Sequence, residues 1–374
     1  MNLLVFPHGH GWADFPWQDV CFCGSAVHLR DVMRTRFSSP LSSDLSRREA
    51  LRYLAFSGAT LALGPLLRPS ARGADGLPIL NGPQPPFYRF RIGDTEAVAL
   101  TDGGIASPLS AMPWWADVPN KEVAESLQSA FLPPDVIKLA FTVLLLRTGP
   151  DLVLIDSGCG GLFGPIGGKL VSSLAAVGVK PVQISAVVLS HGHADHFGGL
   201  LDGQKALTFP NARLIINRAE HAFWLQAQPD LSAVRMPDEA KRAAVTNAQT
   251  YLTALKDHWH FVEPGSKPVT GLEVIDAPGH TPGHVAVMIS SQQDRLLHVA
   301  DALHHQAVSF QHPDWKFVAD VLPEVAQKTR RKLMEQAASE RIRVFGAHLP
   351  FPALGHVRRS DGHFEYVIEP WSEV

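Results

Sequence analysis

The sequence predicts an α/β fold, specifically an αβ/βα four-layer sandwich in which two packed β-sheets carry helices on their outer faces. Two observations indicate this class. Apolar runs typical of buried strands are followed by longer runs typical of helices in both halves of the chain. In addition, four of the strand-like runs end shortly before histidine or aspartate residues, and open α/β sheets place their reactive groups at such strand ends.

The strand-like and helix-like runs extend from residue 87 to the end of the chain, so we expect residues 87–374 to form one domain. Four early runs have the length and composition of strands, and three later runs have apolar residues at helical spacing. The predicted strands are 87–92, 97–100, 141–146 and 151–155, and the predicted helices are 218–228, 239–256 and 322–339.

The run from His191 to His196 places four candidate metal ligands within six residues: His191, His193, Asp195 and His196. Three imidazoles and a carboxylate are costly to bury without partners, so a bound metal is the simplest explanation. The candidates alternate as far as Asp195 and then break the alternation, which favours a loop around two neighbouring ions over one ion on a helix face. A strand-like run at 184–190 precedes the motif, and 197–200 is typical of a helix start.

Three further candidates come after strand-like runs at 272–277, 295–300 and 341–347, and they are His280, Asp301 and His348. His284 is close to the first of them, but we interpret it as a residue that braces the loop rather than as a ligand. The remaining histidines are interpreted as ordinary core or surface residues, and they include 221, 258, 260, 298, 312, 356 and 363.

This order of residues resembles the metallo-β-lactamase superfamily, in which an H-x-H-x-D-H motif is followed by a further His, Asp and His. The resemblance implies one metal ion on His191, His193 and His280, a second on Asp195, His196 and His348, and Asp301 as a bridge between them. It makes Asp195 and Asp301 the candidate catalytic residues. We expect two divalent ions, with zinc first and manganese, iron or cobalt as alternatives, because imidazole and carboxylate ligands suit all of them. Asp156 matches the D-[ST]-G turn of the family, where the carboxylate braces the metal loops.

Three segments, 162–165, 223–225 and 351–356, look like the methyl parathion hydrolase branch of this superfamily, which also includes lactone and aryl-ester hydrolases. Phe163 and Trp224 match aromatic residues that line the substrate entrance in that branch. The chain departs from the branch at two places, because its third entrance aromatic falls near Ala243 and because His304 and His305 occupy a stretch that is apolar in the family. The resemblance therefore implies a wider and more polar substrate pocket, with His304 in its wall.

The function implied by the resemblance is hydrolysis of carboxyl esters, lactones or phosphotriesters by a binuclear metal site. Two ions would lower the pKa of a shared water, which supplies a nucleophile near neutral pH without a side-chain base. The departures named above favour esters and lactones over phosphotriesters. The sequence has no G-x-S-x-G element, which argues against a serine hydrolase.

Other functions are weaker interpretations of the same residues. A glyoxalase II-like thioesterase shares all seven ligands, but no cluster of basic residues for glutathione carboxylates stands out. A β-lactamase-type hydrolase generally lacks the bridging carboxylate that Asp301 provides. No feature of the sequence favours a metal-binding protein without enzymatic activity.

The N-terminal region resembles an export signal. Arg47 and Arg48 lie in a run similar to a twin-arginine motif, and an apolar stretch at 53–67 follows that is shorter than the about 20 residues needed to span a bilayer. We interpret residues 1–32 as an extension upstream of a true start at Met33, 33–73 as the signal peptide and 74–86 as a linker. These assignments predict a periplasmic or secreted protein that keeps no stable membrane span after processing.

The composition is that of a compact enzyme and gives no indication of nucleic-acid binding. The chain has 374 residues, of which 18% are charged, and its formal net charge of −3 leaves no basic stripe. The expected partner is a small-molecule ester, lactone or organophosphate, and the resemblance implies a homodimer. Only Cys159 of the three cysteines lies in the predicted mature part, so we expect stability to come from the core and the metals.

Overall fold

The computed structural model describes residues 86–370. The predicted extension and signal peptide and nearly all of the predicted linker lie outside the described residues. The first sheet has seven strands, and their order in space follows their order in the chain. Its strands are β1 (Phe87–Ile92), β2 (Thr95–Pro108), β3 (Val136–Thr148), β4 (Asp151–Ile155), β5 (Ala186–Val188), β6 (Arg213–Asn217) and β7 (Trp259–Val262).

The second sheet has six strands in the order β13-β12-β11-β10-β9-β8. They are β8 (Leu272–Asp276), β9 (Val285–Ser291), β10 (Asp294–His298), β11 (Arg343–Phe345), β12 (Leu354–Ser360) and β13 (His363–Ile368). Strands β4 to β7 pair in parallel, and so do β10 and β11, whereas the other neighbours are antiparallel. Parallel neighbours end at the same edge of a sheet, so the loops that follow them lie close together.

Helices and short helical turns connect the strands. The α-helices of residues 86–370 are α1 (Asn120–Ser129), α2 (Leu170–Ala176), α3 (Ala194–Phe197), α4 (Arg218–Trp224), α5 (Asp238–Ala254), α6 (Val308–Gln311) and α7 (Pro323–Ser339). Within this part of the chain, none of the helices has the length and apolar character needed to cross a membrane.

The main core lies between the two sheets, and a second core lies between the first sheet and its helices. Leu144 and Leu146 of β3 pack in the core that also contains residues of β8 to β12. Val143 and Leu145 point to the opposite face and pack with residues of α2, α4 and α5. Because both faces of β3 are buried, its sequence is continuously apolar rather than alternating.

The structure confirms the predicted sandwich of two sheets with flanking helices and corrects several boundaries. The predicted helix at 218–228 ends at Trp224, because Pro229 has no N–H to donate to the Leu225 carbonyl and also disfavours helical backbone in Gln228. The predicted strand at 184–190 is reduced to Ala186–Val188, since the chain turns away towards the motif after that point. The sequence analysis did not predict the strands β6, β7, β9, β12 and β13 or the helices α1, α2 and α6.

Candidate metal centre

The first part of the site is the loop and short helix after β5. His191 and His193 lie in this loop, and Asp195 and His196 lie on α3. The preceding residue, Ser190, is fixed by the buried carboxylate of Asp156, which accepts hydrogen bonds from the Ser190 backbone N–H (2.7 Å) and from its hydroxyl (2.8 Å). The motif is therefore anchored at the point where it leaves the sheet.

The second sheet supplies the other three predicted ligands. His280 follows β8, Asp301 follows β10 and His348 follows β11. The last two approach each other because β10 and β11 are parallel neighbours, with His298 paired to Phe345. The structure thus brings all seven predicted ligands into one region, where the loops of the two sheets meet.

Three histidines form one group, which we call the three-histidine cluster: His191, His193 and His280. His193 Nδ1 lies 3.0 Å from His191 Nε2 and 2.9 Å from His280 Nε2. Burial, reinforced by neighbouring imidazoles, holds the pKa of all three well below the usual range. They are therefore neutral at physiological pH, which is the form in which histidine binds a metal.

Asp195, His196 and His348 form the second group, which we call the mixed cluster. Asp195 Oδ2 lies 3.3 Å from His348 Nε2 and 3.6 Å from His196 Nε2. Burial disfavours the charged form of His196, but the carboxylates of Asp301, Asp195 and Asp156 outweigh it and raise its pKa well above the usual range. The concentration of negative charge at this cluster suits a divalent cation.

Asp301 contacts both clusters. Its Oδ1 lies 3.2 Å from His196 Nε2, while its Oδ2 lies 3.0 Å from His348 Nε2 and 3.4 Å from His280 Nε2. This carboxylate therefore lies between the two clusters, within reach of both.

Two buried atoms test whether the residues fit metal ions. His196 Nε2 and Asp301 Oδ1 lie 3.2 Å apart without the geometry of a hydrogen bond, and neither atom has another hydrogen-bond partner within the described part of the chain, although both are inaccessible to solvent. Buried polar atoms without partners are rare and require an explanation. Because both are potential ligand atoms, and because the surrounding donors are imidazole nitrogens and carboxylate oxygens, the residues fit two divalent ions.

Several residues orient the ligands. Asp156 Oδ2 lies 2.8 Å from His196 Nδ1, and Asp156 holds a left-handed backbone with φ of 65°, a strained conformation of the kind found at functional sites. His284 Nε2 accepts a hydrogen bond from the Asp301 N–H (3.1 Å), and its Nδ1 lies 2.8 Å from the Ala277 carbonyl. His284 therefore braces the bridging residue, as the sequence analysis expected.

The sequence analysis missed two buried carboxylates, Glu220 and Asp320. Asp320 Oδ1 lies 3.0 Å from His280 Nδ1, and its Oδ2 accepts a hydrogen bond from Nη2 of the buried Arg330 (3.3 Å). Such a carboxylate fixes the orientation of a histidine ligand. A sequence signal for Asp320 exists only in its apolar neighbours Ala319 and Val321, which indicate that it lies inside the protein.

A cavity opens onto both clusters and encloses about 840 Å³, its open mouth included. Phe163 and His304 both line it, as predicted. The His304 ring is stacked on Phe317 with 3.6 Å between ring centroids, and its Nε2 lies 3.5 Å from Asp301 Oδ2. The remaining apolar lining comes from Ile105, Met112, Trp114, Leu139, Phe141, Ile166, Ala194, Met236, Ala244, Phe317, Val318 and Ala319.

One prediction about this cavity is wrong. Trp224 does not line it, because the indole is completely buried and its Nε1 donates a hydrogen bond to Glu220 Oε1 (2.7 Å). The small residue in the wall is Ala244, next to Ala243, near which the sequence analysis placed the third entrance position. Ala244 shares a face of α5 with the buried Ala240 and Ala248, since residues four apart lie on the same side of a helix.

A model of the metallo-β-lactamase superfamily matches residues 141–348, which is more than half of the chain. The chain belongs to this superfamily. It has the fold of the superfamily together with histidine and aspartate clusters that can hold two metal ions, as in its metal-dependent hydrolases.

The chain is also similar to individual proteins, at sequence identities of about one quarter to one third. The chain is similar to the solved structure of AidC, a dizinc quorum-quenching lactonase in complex with the product N-hexanoyl-L-homoserine, with 32% identity and a TM-score of 0.73 over 77% of this chain and 98% of that one. It is also similar to AbOPH, a hydrolase of the β-lactamase superfamily, with 26% identity and a TM-score of 0.71 over 78% of this chain and 100% of that one. A probable metallo-hydrolase of Mycobacterium tuberculosis is 28% identical over 197 residues, which are 46% of this chain and 59% of the relative's length.

Proposed function

We propose that this chain is a dizinc hydrolase that opens the lactone ring of N-acyl homoserine lactones. The observation that carries the proposal is the cavity, in which the metal-ligand residues form one wall and apolar side chains form the others. A polar lactone attached to an apolar acyl chain matches this division. The similarity to a dizinc lactonase over nearly its whole length supports the same substrate class.

The charges of the cavity favour an uncharged substrate. Apart from Asp195 and Asp301, which belong to the ligand set, none of the described lining residues is a lysine, arginine, aspartate or glutamate. Trp114 Nε1 and both ring nitrogens of His304 are buried and lack hydrogen-bond partners within the described part. Such groups gain stability from a hydrogen-bonding partner. We infer that carbonyl oxygens of the substrate accept hydrogen bonds from Trp114 Nε1 and from the one ring nitrogen of neutral His304 that carries a proton.

Hydrolysis consumes one water and releases N-acyl homoserine. Water adds to the lactone carbonyl carbon, the ring C–O bond breaks, and the leaving oxygen takes up a proton. Bound at the two clusters, divalent ions would supply Lewis-acid activation of the water and of the carbonyl oxygen. Asp301, whose carboxylate reaches both clusters, is the residue that we propose transfers the proton to the leaving oxygen.

The experiment that tests this function compares substrates on the zinc-loaded protein. We expect kcat/KM for N-hexanoyl homoserine lactone to exceed that for a nitrophenyl ester and for a paraoxon-type phosphotriester. The phosphotriester is the second candidate because of the resemblance to the methyl parathion hydrolase branch, and Ala244 and His304 in the wall argue against it. A phosphotriester turned over faster than every lactone and ester would reverse this order.

We also propose export through the twin-arginine route to the periplasm or beyond. The support is the sequence around Arg47 and Arg48, which lies outside the described residues. Replacement of both arginines by lysine keeps the charge but removes the pair that the export receptor recognises, so we expect the precursor to accumulate in the cytoplasm. Periplasmic yield equal to that of the unchanged protein would contradict the proposal. The homodimer stays a prediction, which sedimentation analysis of the purified protein can check.

A further inference from the structure

Glu220 is a fully buried carboxylate that no part of the hydrolytic chemistry above uses. It lies in the first turn of α4, and its exposed fraction is 0%. A buried carboxylate is costly unless hydrogen bonds replace its lost hydration. Its partners therefore indicate what the residue does.

Each oxygen of Glu220 accepts two hydrogen bonds. Oε1 accepts from the Gly192 backbone N–H (2.7 Å) and from Trp224 Nε1 (2.7 Å). Oε2 accepts from the Thr281 hydroxyl (2.7 Å) and from the Gly283 backbone N–H (2.9 Å). All four partners can donate, so an ionised carboxylate satisfies the whole arrangement.

These partners lie in the two loops that carry the three-histidine cluster. Gly192 stands between His191 and His193, while Thr281 directly follows His280. One oxygen therefore holds the loop from the first sheet, and the other holds the loop from the second. The mixed cluster depends on other contacts, since Asp156 braces His196 and the Ala140 carbonyl lies 2.8 Å from His348 Nδ1.

We propose that Glu220 is a positioning residue that sets the spacing of the three-histidine cluster and thereby the affinity of that cluster for its metal ion. The inference rests on the two-metal function proposed above and adds that Glu220 supports the three-histidine cluster and not the mixed cluster. Loss of the Glu220 charge should lower the affinity of the three-histidine cluster for its metal ion and leave the affinity of the mixed cluster unchanged.

Glu220→Gln is the decisive substitution because an amide cannot serve both loops. If the amide oxygen faces Gly192 and Trp224, the NH2 group meets the Gly283 N–H, which is also a donor. In the opposite orientation the NH2 group meets the Gly192 N–H and Trp224 Nε1, and neither of these donors can rotate away. We expect chelator titration of the zinc-loaded variant to show one ion bound as in the unchanged protein and one bound 10- to 100-fold more weakly. Thr281→Val, which removes only one donor, should weaken the same ion to a smaller extent.

Two controls separate this role from general destabilisation. Asp102→Asn alters another buried carboxylate, which accepts hydrogen bonds from the backbone N–H groups of Cys159, Gly168 and Leu170. We expect it to lower the free energy of unfolding while both metal affinities stay unchanged. His348→Ala removes a ligand of the mixed cluster, so combined with Glu220→Gln it should leave no tightly bound ion.

The possible results divide clearly. Equal affinities in Glu220→Gln and the unchanged protein, or equal weakening of both ions, would overturn the role of Glu220. One tightly bound ion remaining in the double variant would also overturn it, because both changes would then act on the same cluster. If Glu220→Gln does not fold, Thr281→Val decides by the same criteria. Fewer than two ions in the unchanged protein would instead contradict the two-metal function. The affinity of the remaining ion in the unchanged protein and in Glu220→Gln would then still show whether Glu220 supports the cluster that binds it.

Discussion

Gly192→Ala is expected to displace the metal-binding loop. A Cβ atom at this position would lie 2.4 Å from both Cδ1 and Nε1 of Trp224, whereas ordinary contacts begin at 3.4 Å. The indole cannot move aside easily, because it is fully buried and hydrogen-bonded to Glu220. The loop must therefore shift by up to about 1 Å, and His191 and His193 shift with it. Metal sites tolerate changes of only about 0.2 Å in ligand distance.

The expected magnitude follows from this overlap. Overpacking of a well-packed interior costs about 1–3 kcal/mol, so the free energy of unfolding in urea should fall by that amount. Elemental analysis should show that the ion of the three-histidine cluster is lost or weakly held. The matched control is Gly203→Ala, since a Cβ there meets nothing within 4 Å.

A double-mutant cycle tests whether the contact with Trp224 is the cause. Trp224→Ala destabilises the core by itself, but it also removes the atoms that the new Cβ would meet. We therefore expect Gly192→Ala to cost much less in the Trp224→Ala background than alone. Equal costs in both backgrounds, or full metal content in Gly192→Ala, would refute the reasoning.

Three further outcomes are expected. Asp301→Ala should lose at least one metal ion and most activity, because this carboxylate contacts both clusters. Elemental analysis and hydrolysis rates check this prediction, and full metal content in the variant would contradict it. Phe163→Ala should raise KM for long-acyl lactones about 5- to 30-fold, which corresponds to the loss of roughly 1–2 kcal/mol of apolar contact, and should leave the metal content unchanged. Leu162 lies outside the cavity lining, so Leu162→Ala should leave KM unchanged. Burial lowers the pKa of His305 to about 4. Between pH 6.5 and 4 the unfolded chain therefore binds a proton that the folded chain does not bind, and the free energy of unfolding decreases as the pH is lowered. His305→Asn keeps an acceptor for the Ala307 N–H but does not titrate in this range. The loss of unfolding free energy between pH 7.5 and pH 4.5, measured by urea unfolding, should therefore be smaller in the variant by up to about 3 kcal/mol. The same loss in the variant and the unchanged protein would contradict this prediction.

The ligand set could be predicted because its signals are local. His191 to His196 are nearly contiguous, and His280, Asp301 and His348 each come shortly after an apolar strand. Strand ends in such a fold converge on one edge, so sequence order alone was enough to group them.

The residues that support and surround the ligands could not be predicted in the same way. Glu220 and Trp224 lie one turn apart on α4. Only the packing of this helix against the motif loop shows that Glu220 braces the metal site and that Trp224 is buried behind the loop. The position of Ala244 in the cavity wall depends on the rotation of α5, because an error of one residue turns a side chain by about 100° around a helix.

The most direct test of the account is a crystal of the protein purified without chelator, with anomalous difference maps recorded at the zinc absorption edge. The account predicts two peaks in each chain, one enclosed by His191, His193 and His280 and the other by Asp195, His196 and His348, with Asp301 in contact with both. A single peak, or a second peak held by His304 in place of the mixed cluster, would contradict it.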